Sequence, residues 1–168
     1  MPSLSLNATV AVVHMDAGRP SPFMARTSPK LPVRDSDVVL ISAKSVGAKQ
    51  VLVLTDEGNT WRVLAVQNGD ATGVFSPEGF TITGNPRHVW VAATDTPSSF
   101  SMGQVLTCPE DSGCDLTQKL VDALPPMPRT PRRPKTETVP FDGRSARGIA
   151  NTHTGEALIA TRVDLTPR

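Results

Sequence analysis

The chain alternates short apolar runs with clusters of turn-forming residues. TVAVV (9–13), VVLIS (38–42), QVLVL (50–54), TWRVLAV (60–66), FTIT (80–83), HVWVA (88–92), QVLT (104–107) and ALIAT (157–161) are rich in β-branched residues and separated by Gly, Pro, Asn, Asp and Ser. That pattern predicts short antiparallel strands joined by tight turns. A helical period occurs over 116–124 (LTQKLVDAL), where Leu116, Leu120, Val121 and Leu124 share one face before Pro125 ends it. The same stretch also reads as a strand and a loop. The fold class that follows is all-β, built from repeated hairpins.

The strands fall into repeating units. Four pieces, starting at Thr9, Val38, His88 and Arg147, each read as an apolar strand, a polar turn of variable length and a second apolar strand. Val53-Leu54-Thr55 aligns with Val105-Leu106-Thr107 at a spacing of 52, and a similar step reaches Ile159-Ala160-Thr161. The first unit, ending near Met24-Ala25-Arg26-Thr27, is shorter. Residues 1–123 therefore read as β-rich repeat units and 141–168 as a last hairpin packing on the same domain. Between them, 124–140 carries Pro125, Pro126, Pro128, Pro131, Pro134 and Pro140 together with Arg129, Arg132, Arg133 and Lys135. Proline cannot donate to a ladder, so this segment reads as an extended linker. The sharper reading is a docking peptide or a phosphate-binding patch, but no aromatic residue interleaves with its charges.

The most specific local signal is LTDEGNTW, residues 54–61. It resembles the Asp-box turn of sialidase-like (BNR-repeat) β-propellers: Asp56, Gly58, Thr60 and Trp61 match, while Leu54 replaces the usual Ser. In such a turn Asp56 accepts hydrogen bonds from turn amides, Gly58 supplies a positive φ, Thr60 bonds back across the turn and Trp61 plugs the space beneath. The resemblance implies a partial propeller-like architecture in which this turn is a folding element, remote from any active site. CPEDSGC (108–114) stands in the equivalent place of the next unit, and RVDLTPR keeps only Asp164. The alternative is a β-sandwich in which LTDEGNTW is an ordinary hairpin turn.

Composition separates that scaffold from its chemistry. Sialidases use a Tyr nucleophile, and this chain has no Tyr. Nothing in the spacing of Arg26, Arg34, Arg62 and Arg87 implies an arginine triad. Three to four units are also fewer than the six or more blades of such rings, which implies a homo-oligomer that closes the ring or a piece of a longer chain. With 17 basic and 16 acidic residues, net charge +1, the chain lacks a global footprint for nucleic acid or an anionic membrane. No apolar run approaches the ~18 residues of a membrane span. The first residues lack a basic start and make a poor signal peptide.

The remaining chemistry is sparse. Cys108 and Cys114 are close enough to bridge a hairpin in an oxidising compartment, which would make the protein extracellular, or to stand as two reduced thiols. His14, His88 and His153 share no metal-ligand spacing, so neither a metal nor another cofactor is expected. Glu110, Asp111 and Asp115 cluster without the regular spacing of a calcium loop. No catalytic residue is assigned. The leading expectation is a non-catalytic binding or interaction module for carbohydrate or protein, acting through its longest hairpin loops, 14–22 and 95–102. The rivals are a glycan-processing hydrolase using a carboxylate pair from different units, and a virion or appendage component with a Pro-rich wrapping arm.

Overall fold

A computed structural model describes residues 3–16, 19–20, 30–124 and 135–167. Among the described residues the fold is all-β apart from one short helix. It opens with β1 (Leu4–Val13), a small ribbon of β2 (Met15–Asp16) and β3 (Arg19–Pro20), and β4 (Lys30–Val33). β5 (Val38–Val46), β6 (Gln50–Glu57), β7 (Thr60–Asn68), β8 (Thr72–Val74) and β9 (Phe80–Thr81) follow. Then come β10 (His88–Thr94), β11 (Val105–Thr107), α1 (Cys114–Asp122), β12 (Lys135–Phe141), β13 (Arg144–Gly155) and β14 (Leu158–Pro167).

Two six-stranded sheets hold nearly all of these strands. The first runs β12-β13-β1-β5-β8, with β9 also paired to β5; the second runs β11-β7-β6-β10-β14-β4. Pairing is antiparallel except between β14 and β4. The sheets share a core: Leu4, Leu6, Ala8, Val10 and Val12 of β1 and Val39 and Ile41 of β5 pack with Val51 and Val53 of β6 and Val89 and Val91 of β10. The two inner faces meet in one core, a packing that fits the sandwich alternative.

The continuous apolar runs have a physical cause. A strand with one wet face alternates, whereas one covered on both faces is apolar throughout. Leu52, Leu54, Trp90 and Ala92 point away from the shared core into a second cluster, roofed by Leu116 and Leu120 of α1 and by Phe100. Leu120 is fully buried there, worth about 1.5–3 kcal/mol relative to an exposed leucine. On the far side, Ala11, Val13, Val38 and Leu40 meet Val139 of β12 and Ala146 of β13, because the first sheet curls over itself as a half-barrel.

Strand neighbours differ from simple hairpin units. β5 and β6 are consecutive in the chain, yet one pairs in each sheet. β13 and β14 divide in the same way, to β1 and to β10. β10 enters between β6 and β14, while β11 pairs with β7. Among the described residues, no four consecutive strands form a sheet of their own. One local expectation changes. Lys135–Phe141, whose first six residues belong to the expected linker, form an edge strand on β13, a setting that tolerates Pro140. His153 lies within β13 opposite Leu6, and the turn follows at residues 156–157. Residues 24–27 of the first unit and 125–134 of the linker lie outside the described residues.

Candidate binding cleft

After β10 the chain leaves the sheet and returns only at β11. The loop between them folds back over the second sheet, and its position is set from beneath. Gln50, 2% exposed, sits beside Thr94 in the β6–β10 register. Its Oε1 accepts from Ser98 N–H (2.8 Å) and Ser98 Oγ (3.0 Å), and its Nε2 donates to Ser98 O (3.1 Å). A buried amide whose bonding groups are this well used is a rigid anchor. Thr94 Oγ1 accepts from Thr96 N–H (3.0 Å), turning the chain at the start of the loop. Asp95 N–H donates to Ala157 O (3.0 Å), tying it to the β13–β14 turn.

Between this loop, the first turns of α1 and the β13–β14 turn lies an open cleft of about 540 Å³. Pro97, Phe100, Leu116 and Leu158 supply apolar lining, and Asp95, Asp115 and Lys119 supply charge. Phe100 is fixed by close approach: a Cβ on Gly113 would stand 2.6 Å from its Cε1. Ala157, also in the lining, is held at φ +65°, a region that costs an L-residue roughly 1–2 kcal/mol. Cys108 and Cys114 form a disulfide in the segment that leads into the α1 wall.

The opposite end of the same strands carries a polar row. Register places Asp56 of β6, His88 of β10 and Asp164 of β14 side by side. His88 Nδ1 is 2.9 and 3.1 Å from the two Asp56 oxygens. A carboxylate only accepts, so the imidazole carries a proton on Nδ1 and donates it. Trp90 Nε1–H also donates to Asp56 Oδ1 (3.0 Å). His88 Nε2 faces Asp164 at 3.6 Å, and Arg162 Nε stands 3.1 Å from the same oxygen. Arg162 lies over the Trp90 ring, 5.8 Å from its centroid, and Trp90 tilts against Trp61 at 5.3 Å.

The Asp-box residues occupy the β6–β7 hairpin. Gly58 has φ +62° and Trp61 is buried, while Thr60 is exposed and paired in register with Glu57 and Thr107. Asp56 is directed differently from the sequence expectation: its carboxylate bonds across the sheet to His88 and Trp90. The reason is alternation, since Asp56 shares the outward face of β6 with Leu52 and Leu54. Asp37, fully buried, is a second tie: it accepts from Met15 N–H (3.0 Å), Arg34 N–H (3.1 Å) and His14 Nδ1 (3.0 Å).

Sequence reasoning singled out the 95–102 loop and missed Gln50, Trp90 and Arg162. A polar glutamine opening the apolar run QVLVL was the available signal for the anchor. Among the described residues, no group of three His, Cys, Asp or Glu side chains is placed to hold a metal ion. The chain matches no family model, no curated protein and no solved structure.

Proposed function

We propose that the protein is a non-catalytic binding module whose recognition site is the cleft between the 94–100 loop and α1. One observation carries this reading: a concave site of about 540 Å³, within the size range of small-ligand pockets, walled by a loop that a buried glutamine holds in place. Variable loops on a rigid sheet are where recognition is built, and here the rigid element lies directly beneath the loop. The resemblance of residues 54–61 to an Asp-box agrees with this division of labour, since that turn serves folding and leaves binding to other loops.

Amide chemical-shift mapping on the full chain tests the reading. A panel of short peptides and oligosaccharides is expected to contain a ligand that moves residues 94–100, 113–119 and 157–158 together. Saturable shifts confined to another surface would refute it.

A second reading, a glycan hydrolase using a carboxylate pair, draws on Asp56 and Asp164, which come from different units and flank His88. It is the weaker of the two, because Asp56 is committed as acceptor to Trp90 and His88, and the Arg162 cation stands 3.1 Å from Asp164. Turnover of a chromogenic glycoside that is abolished by Asp164→Asn would promote it.

A further inference from the structure

We propose that the cleft takes a basic peptide segment, an extended stretch in which a Lys or Arg side chain stands next to apolar residues. This rests on the cleft reading above and adds its ligand class. The first support is charge. Residues 95–122, the stretch from which the loop and helix walls are drawn, carry five carboxylates (Asp95, Glu110, Asp111, Asp115, Asp122) and one base, Lys119, in a chain whose net charge is +1; of these, Asp95, Asp115 and Lys119 line the cleft itself. The walls are thus drawn from an acidic stretch, and the lining carries one more carboxylate than base, which favours cationic over anionic ligands. Asp95 enters the lining from the loop and Asp115 from the first turn of α1, so carboxylates reach it from two separate elements.

The second support is the lining itself. Pro97, Phe100, Leu116 and Leu158 suit the methylene stem of a Lys or Arg and an apolar neighbour, while the carboxylates meet the charged head. Recognition of a neutral sugar leans on an exposed aromatic face. Here Phe100 is 9% exposed and packed against Gly113, Trp61 and Trp90 are buried elsewhere, and the chain has no Tyr. The loop also brings its own backbone to the cleft, and Gln50 keeps that backbone fixed, which lowers the ordering cost of receiving an extended chain.

The test uses the full chain and three probes: acetyl-Leu-Lys-Leu-amide, the same peptide with Glu in place of Lys, and N-acetylglucosamine trimer. The Lys peptide is expected to shift the amides of 94–100, 113–119 and 157–158, and to bind at least about tenfold more tightly than the Glu peptide at low salt. Raising the salt to 0.5 M should narrow that gap. Asp95→Asn with Asp115→Asn should lower affinity for the Lys peptide by about tenfold, while Lys119→Gln should raise it. Equal binding of the Lys and Glu peptides, or no effect of the double variant in a protein with an unchanged spectrum, would overturn the ligand class. Cleft shifts with the sugar and none with the peptides would overturn it too, while leaving the binding-module reading standing. Saturable shifts from the Lys peptide on another surface would overturn both.

Discussion

Replacing Asp56 by Ala tests whether the polar row holds the second sheet together. Asp56 is 8% exposed and accepts from Trp90 Nε1–H at 3.0 Å and from His88 Nδ1 at 2.9 Å. Removing it strands the Trp90 indole N–H, in a residue 2% exposed, with no acceptor. An unsatisfied buried donor costs about 1–3 kcal/mol, and a charge-assisted hydrogen bond contributes about 1.5–3 kcal/mol. The His88 side chain is 25% exposed, so water recovers part of its loss. The expected total is about 3–4 kcal/mol, a large share of the 5–15 kcal/mol available to a typical domain. Asp56→Asn keeps an acceptor oxygen and should cost about 1–2 kcal/mol. Urea unfolding followed by tryptophan fluorescence measures both, provided m is unchanged. A cycle with Trp90→Phe isolates the shared term, because phenylalanine leaves no indole donor to strand. A cost below about 1 kcal/mol for Asp56→Ala would refute the reasoning, as would full additivity with Trp90→Phe.

Three further outcomes follow from the same geometry. Gln50→Ala should cost about 1–3 kcal/mol and speed hydrogen exchange at the Ser98 amide, which loses its acceptor; exchange by NMR reads this directly. Gly79→Ala should destabilise by more than 1 kcal/mol in urea, since Gly79 sits at φ +75° and an added Cβ would overlap Val38 Cγ1 and stand 2.8 Å from Leu40 Cδ2. The pH dependence has two parts. Burial holds the His153 imidazole below its ordinary value of 6.5, so the unfolded chain takes up the proton first and stability falls as pH drops below about 6.5. Partial desolvation opposes ionisation of Asp70, but hydrogen bonds from Ala48 N–H, Ser45 Oγ and Gly47 N–H outweigh it and lower its value. Its contribution is therefore present above about 3.8 and is lost as pH falls through the depressed value. Thermal melts of His153→Gln and Asp70→Asn should flatten the upper and the lower of these windows, respectively.

Strand positions were legible because β-branched runs between turn formers state them locally. Strand partners were not. VVLIS and QVLVL are separated by a short polar turn and read as one hairpin, yet β5 and β6 enter different sheets. One local clue did bear on this: both runs are apolar on both faces, and a lone hairpin with one wet face has no use for that. Histidine 88 shows the same limit. Read alone it stands before a strand as an ordinary surface residue. Its role depends on Asp56, 32 positions earlier, and Asp164, brought beside it by the order β6-β10-β14.

That strand order also links the polar row to the cleft. In the β6–β10–β14 register Asp56, His88 and Asp164 form one row, and Gln50, Thr94 and Leu158 form another, six residues along β10. The second row is the foot of the cleft: Gln50 anchors the loop, and Thr94 and Leu158 line the site. Because side chains alternate, a slip of one residue in β10 would turn Trp90 and His88 into the shared core and carry Val89 and Val91 out of it. The Asp56 carboxylate opposes that slip by bonding two side chains of β10 at once. Its loss should therefore register at both ends of the sheet. In Asp56→Ala, Ser98 amide protection is expected to fall by more than the loss of global stability accounts for, whereas Gln50→Ala should loosen the loop while leaving protection at the Trp90 end intact. If Ser98 keeps its protection in Asp56→Ala after correction for global stability, the two ends are independent and the cleft is positioned by Gln50 alone.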